Sequence, residues 1–145
     1  MTLEALMVEI CELAIKNKLV NMALGGTNVY DINSLTVKDY PILYISPTGT
    51  HTEHAGYTEY SITLFYVDRL LEDNSNEVGV MSSSIEVLKN VCRGIKRLDG
   101  VIKLSDTVTY QNFVETNNSK LNDRCAGAFA NLSVFIKNNS NCYIN

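Results

Sequence analysis

Hydrophobic and polar residues follow one another along this chain with two different periods, one helical and one typical of strands. The helical period comes first and predicts a helix at the N-terminus. Apolar residues recur there at helical spacing, and Thr2 stands where a side chain can cap the first turn. The pattern predicts a helix over about residues 2–18, and we expect Gly25 and Gly26 to end this helical segment. The apolar positions are Leu3, Leu6, Met7, Ile10, Leu13 and Ala14.

The same period returns in the middle of the chain and predicts a long helix over about residues 75–98. Asn74 can cap this helix, and Glu77 lies three residues later, as in a capping box. Gly100 is placed to end it. Its apolar positions are Met81, Ile85, Leu88, Val91, Cys92 and Ile95, and its last turns carry Arg93, Lys96 and Arg97. Positive charge complements the C-terminal end of a helix dipole, which explains this basic cluster without nucleic acid.

Alternation with a period of two predicts strands. Residues 41–70 contain two of them with a long intervening loop, so we expect a hairpin there. Two more strands are expected over about 107–115 and 124–137. In the last strand, alanines share one face and leave room for a closely packed helix, for which the 75–98 helix is the candidate. These alanines are Ala126, Ala128 and Ala130.

Together these elements predict an α+β fold, with an antiparallel sheet of about four strands packed by a long central helix and an N-terminal helix. The chain of 145 residues fits one domain, so we expect residues 1–145 to share a single core. No apolar run approaches the ~20 residues that a membrane span needs, and Glu4 and Glu9 interrupt the first apolar stretch. We therefore expect no signal peptide and no membrane partner.

Composition and charge reduce the number of function classes that fit this chain. The chain is 46% hydrophobic and 19% charged, which is ordinary for a globular protein. Its formal net charge of −4 argues against tight duplex binding, because proteins that grip phosphates carry an excess of Lys and Arg. The cysteines include no Cys-x-x-Cys pair, so we expect reduced thiols. They are Cys11, Cys92, Cys125 and Cys142. Three of them fall inside periodic apolar segments, where we expect cysteine to fill the core as a small hydrophobic residue.

One loop contains residue types that could carry chemistry. His51, Glu53 and His54 lie together in the hairpin loop and resemble metal ligands or an acid–base site. A loop lacks the helix that aligns the two histidines of helical zinc proteases, and the spacing indicates no third ligand. Exposed polar residues are therefore the favoured interpretation, and we expect no cofactor and no enzyme.

Three further positions are candidates for contacts between subunits. Asp68 and Arg69 end the best predicted strand, where the alternatives are an ion pair, a contact with another subunit or a solvated edge. The solvated edge is favoured, because an exposed ion pair contributes little stability. Ser83 lies in a run of serines, which are poor helix formers. We expect solvent or a partner subunit to cover that turn of the long helix.

A capped helix follows the hairpin, and a final strand closes the predicted sheet. The first stretch runs from Tyr60-Ser-Ile-Thr-Leu-Phe-Tyr-Val-Asp-Arg-Leu-Leu through Ile95, and the second is Asn122-Asp-Arg-Cys-Ala-Gly-Ala-Phe-Ala-Asn-Leu-Ser-Val-Phe-Ile136. With the N-terminal helix before them, these stretches resemble the tail-terminator and neck-ring proteins of tailed bacteriophages. A collar ring of a crAss-like phage is one form that the resemblance allows.

The resemblance implies a structural virion protein, made in the host cytoplasm, that forms a closed homo-oligomeric ring in the head-tail connector or tail terminator. Its partners would be copies of itself, neighbouring neck, portal or tail proteins, and DNA that passes through the lumen without specific binding. An acidic lumen suits this task, because repulsion of phosphate lets DNA slide. Within this hypothesis, the His51–His54 loop supplies a ring contact or a lumen position.

Two other classes of function stay open. One is a small cytosolic enzyme or ligand-binding domain that uses the His51–His54 loop, and the other is an adaptor that binds a host or phage partner without forming rings. Loss of activity or affinity in His51→Ala and His54→Ala variants, with assembly intact, would favour the first.

Overall fold

The structure is a computed structural model that describes residues 1–115, 121 and 123–138. In chain order the elements are helix α1 (Leu3–Ile15), strand β1 (Met22–Gly25), a 3-10 helix (Val29–Ser34), strands β2 (Ile42–Pro47), β3 (Thr52–His54) and β4 (Tyr57–Arg69), helix α2 (Glu77–Lys96), and strands β5 (Val101–Leu104), β6 (Tyr110–Glu115) and β7 (Cys125–Lys137). The fold is α+β, as predicted. Cys142, expected to be a reduced thiol, lies outside the described residues.

The strands form one mixed sheet of seven, so the prediction of about four antiparallel strands is wrong. The sheet order is β1-β2-β4-β7-β5, with β3 beside β2 on β4 and β6 beside β5 on β7. Strand β1 runs parallel to β2, and the other pairs are antiparallel. The three missed strands, β1, β3 and β5, are only three or four residues long. Runs so short show no readable alternation, and their pairing partners hold them in place.

Both helices pack on one face of the sheet. Helix α1 lies over β1 and β2, while α2 lies over β7 and β4 and reaches β5. Alternate residues of β4 and β7 join the helices in one buried cluster, in agreement with the period of two from which these strands were predicted. The predicted contact between α2 and the alanine face is also confirmed, because Ala128 and Ala130 are fully buried in that cluster.

The opposite face of the sheet is covered over part of its area. There the 3-10 helix contributes the buried Ile32, and Leu121 closes over the same region together with the side chains of Tyr44, Val67 and Cys125. Further along, the face carries polar side chains, including Thr63, whose hydroxyl bonds to Asn131. Buried side chains therefore lie on both faces of the sheet, under the helices on one face and under irregular segments on the other.

The predicted capping box of α2 is not formed. The helix begins at Glu77, and its N-cap, Asn76, makes no side-chain cap hydrogen bond. Instead, Asn76 Oδ1 accepts a hydrogen bond from the Leu71 amide, and its Nδ2 donates to the Arg69 carbonyl. Asn74 adopts a left-handed conformation with φ 59°. These side-chain bonds hold the β4–α2 connection, so they take the place of a local cap.

We expected Gly25 and Gly26 to end the N-terminal helix, and this expectation is wrong because α1 already ends at Ile15. Gly25 is the last residue of β1, and Gly26 follows it. A side chain at Gly26 would place its Cβ 2.1 Å from Tyr44 Oη. Gly26 therefore allows the chain after β1 to pass close to the Tyr44 side chain of the neighbouring strand β2.

Candidate functional site

The hairpin of β3 and β4 holds the predicted histidine loop, but the two histidines have different partners. His54 Nε2 lies 3.2 Å from Glu59 Oε1, and its ring stacks on Tyr57 with 4.5 Å between centroids. His51 Nδ1 instead accepts a hydrogen bond from the Ser61 amide at 3.2 Å. Nowhere in the described part of the chain do three or more His, Cys, Asp or Glu side chains form a group that could hold a metal ion.

Glu53, the third residue of that loop, is exposed on β3 opposite Thr58. The hairpin thus presents separate polar side chains along its length. Such an arrangement suits a contact surface better than a convergent acid–base site.

At the end of β4, Asp68 and Arg69 do not form an ion pair with each other, which was one of the alternatives for them. Asp68 Oδ1 accepts a 2.8 Å hydrogen bond from the Arg69 amide, while the Arg69 guanidinium lies 3.6 Å from Asp123 Oδ1. Burial raises the pKa of Asp68, and the hydrogen bond from Arg69 opposes this effect. The Arg69 side chain remains 67% exposed, so it stays available for a contact with another molecule.

The serine run of α2 is divided between solvent and core. Ser82 is exposed, Ser83 is half-buried and Ser84 is fully buried, where its hydroxyl donates to the Met81 carbonyl at 2.7 Å. Ser84 thus satisfies its hydroxyl within the helix and faces the sheet. The expectation that solvent or a partner covers this turn is therefore wrong for Ser84, and only Ser82 and Ser83 are available at the surface.

One lateral edge of the molecule, which we call the acidic edge, was not predicted from the sequence. It is a largely apolar groove of about 440 Å³ beside α1 and β1. Glu4 and Glu12 line its rim, and no cation among the described residues forms an ion pair with either. Its principal residues are Glu4, Met7, Val8, Cys11, Glu12 and Gly25.

Strand β1 leaves backbone groups unpaired at this same edge. The amides of Met22 and Gly26 donate to the carbonyls of Pro41 and Ile45. In a parallel pair, the residues between those that bond to the partner strand direct their amide and carbonyl groups away from it. In β1 these residues are Ala23 and Gly25. None of the described strands pairs with that side of β1.

The opposite lateral edge, which we call the basic edge, lies between α2 and the β5–β6 connection. It is a groove of about 260 Å³ whose principal residues are Lys89, Cys92, Arg93, Lys96, Val108 and Tyr110. Burial, and then the neighbouring Cys92, raise the pKa of Tyr110 to about 12.

The charges of the basic edge are only partly neutralised. Lys89 lies 3.5 Å from Glu86, and Asp106, which also lines the groove, lies 3.9 Å from Lys103. Within the described ranges no carboxylate forms an ion pair with Arg93 or Lys96. The free positive charge of this edge is therefore concentrated on the last turns of α2.

A smaller apolar cavity of about 190 Å³ opens on the sheet face opposite the helices. Aromatic rings of Tyr30, Phe65, Phe113 and Phe129 line it together with the Glu115 carboxyl group. Burial, and then Glu115, raise the pKa of Tyr30. Among the described residues that line the cavity, the titratable side chains are one carboxyl group, Glu115, and one phenol, Tyr30.

The geometry defines a class of molecule, an α+β domain with a single mixed sheet. Among the described residues this sheet is open at two lateral edges, which carry opposite charge. No family model and no curated protein matches the chain. None of the helices in the described ranges is long and apolar enough to cross a membrane.

Proposed function

We propose that this chain is a structural subunit of a closed ring in the head-tail connector or tail terminator region of a tailed phage. Such a ring would stack on adjacent ring, portal or tail proteins around the DNA channel. The observation that carries the proposal is the pair of open lateral edges. Because the two edges of one sheet differ in charge and shape, contact between copies is head to tail, and such contacts close into a ring when the rotation between copies permits.

Two further features support the assembly role. The net charge of −4 suits a subunit that surrounds DNA without holding it, because like charges repel across the short distances of a lumen. In addition, Val78, in the first turn of α2, is 78% exposed, and Leu71, in the β4–α2 connection, is 56% exposed. These apolar side chains offer a contact surface for a neighbouring neck, portal or tail protein.

A small enzyme or ligand-binding domain built on His51 and His54 gains no support from the geometry. The first histidine bonds to the Ser61 amide and the second to Glu59, so they do not converge on one ligand position. An adaptor that forms no ring would use one surface only, whereas the proposal requires both lateral edges.

Native mass spectrometry and negative-stain microscopy test the proposal on the purified chain, alone and together with the connector proteins encoded beside it. We expect a closed oligomer of uniform subunit number, and rings in the neck or tail of assembled particles. A chain that stays monomeric alone and never joins a particle would contradict the proposal. An oligomer in which His51→Ala with His54→Ala abolishes a ligand-dependent activity would favour the enzyme.

A further inference from the structure

We infer that neighbouring copies of this chain contact each other through the acidic edge of one copy and the basic edge of the next. The inference rests on the proposed ring function and identifies the interface that builds the ring. The occupant of each groove is thus a second copy of the same chain.

Charge complementarity is the first argument for this contact. Among the described residues, Glu4 and Glu12 of the acidic edge have no cationic partner in an ion pair, and Arg93 and Lys96 of the basic edge have no acidic one. Two like edges would repel each other, which disfavours a symmetric dimer. Opposite edges attract, so the charge pattern selects the head-to-tail arrangement.

The position of the two edges in the sheet is the second argument. Strand β1 is the first strand in the sheet order, while β5 and β6 lie together beyond β7 at the other end. Strand β5 contains a register shift between Val101 and Lys103, which impairs pairing, whereas β6 pairs with β7 in continuous register. When the edges meet, β1 of one copy therefore lies beside β6 of the next.

Apolar side chains at both edges supply the third argument. Val8 is 51% exposed on α1 and lines the acidic groove with Met7. Val108 and Tyr110 line the basic groove. Burial of these side chains between copies would add a hydrophobic contribution to the electrostatic one, which an isolated subunit does not obtain.

Two charge-reversal variants test this contact. Glu4→Lys with Glu12→Lys gives a chain with two basic edges, and Arg93→Glu with Lys96→Glu gives a chain with two acidic edges. Each variant alone should associate about tenfold more weakly than the unmodified chain in sedimentation velocity over a concentration series. Mixed together, the two variants should associate again. Glu72→Lys, which changes an exposed carboxylate in the β4–α2 connection, is the matched control and should leave association unchanged.

Cys11 provides a second readout, because it lines the acidic groove and is half-buried in the isolated chain. Its alkylation should slow when the unmodified chain assembles. In the variant that combines Glu4→Lys with Glu12→Lys, the alkylation rate should not depend on protein concentration. Added salt should weaken association of the unmodified chain, because it screens the charges at the contact.

Recovery on mixing supports the inference, because an unfolded variant would not be rescued by another variant. If both variants associate as strongly as the control, the inferred interface is wrong. The proposed ring would not be contradicted by this result, since another surface would then close the ring. If association depends on these charges but yields only open-ended oligomers, the result would support the interface and contradict the proposed ring. An unmodified chain that is monomeric at every concentration would overturn the inference, while the ring on particles is judged by microscopy.

Discussion

The hydroxyl of Tyr40 donates a 2.8 Å hydrogen bond to Oδ2 of Asp123. The same carboxyl group lies 3.8 Å from Lys38 Nζ and 3.6 Å from the Arg69 guanidinium. Asp123 precedes β7, Arg69 ends β4, and Tyr40 precedes β2. One carboxyl group thus ties together the ends of three neighbouring strands, on the side of the sheet away from the helices.

Removal of the Tyr40 hydroxyl should destabilise the fold. We expect Tyr40→Phe to lower the free energy of unfolding by about 1.5 kcal/mol, because a hydrogen bond to a charged group is lost and the carboxyl group stays partly buried. Urea unfolding followed by circular dichroism measures the change. Tyr57→Phe is the control, since that ring stacks on His54 and should lose little. Equal effects of both variants would show that the Tyr40–Asp123 bond contributes nothing.

The alanine face of β7 should resist larger side chains. Ala130 is fully buried between the sheet and α2. Ala130→Leu should therefore lower the free energy of unfolding by about 1–3 kcal/mol, because the added atoms must displace the helix or adopt strained rotamers. Ala5→Leu, at an exposed position of α1, is the matched control and should change stability by less than about 0.5 kcal/mol. Thermal and urea unfolding compare the two, and similar stabilities would contradict close packing of α2 on this face.

Sequence patterns were reliable where an element is long and one of its faces is buried. In β4 the positions of Ile62 and Leu64 follow from alternation alone, and the structure places both in the core under the helices. Strand β1 could not be predicted in this way. Its four residues, Met22–Gly25, contain no β-branched side chain, and pairing with β2 holds them as a strand.

The candidate surfaces were harder to predict than the fold. His51 and His54 are close in sequence, yet the structure gives each its own partner, because strand pairing directs them to different neighbours. The acidic and basic edges depend on strand order, which brings Glu12 to one end of the sheet and Arg93 to the other. Strand order is set by contacts between distant parts of the chain, and no local motif records it.

Asp68 should make stability depend on pH. Burial raises its pKa in the folded protein above the ordinary value of 3.8. The folded protein then holds this proton more tightly than the unfolded chain does. The resulting stabilisation is full below about pH 4 and is lost as the pH rises through the folded-state pKa. Asp68→Asn cannot ionise, so its stability relative to the unmodified chain should increase from about pH 3 to about pH 7. Urea midpoints measured across this range would contradict the prediction if the difference between the two chains stays constant.

Cys125 should be the least reactive of the described thiols. Its side chain is fully buried, and burial raises its pKa from 9.0 to about 11, so its thiolate fraction at pH 8 is smaller than that of an ordinary thiol by about a hundredfold. Alkylation with iodoacetamide followed by peptide mapping should therefore modify Cys11 in the native protein well before Cys125. In urea the two rates should become similar, because unfolding removes burial. Native labelling of Cys125 at the rate of Cys11 would show that the region around β7 and Tyr40 opens far more readily than its packing predicts.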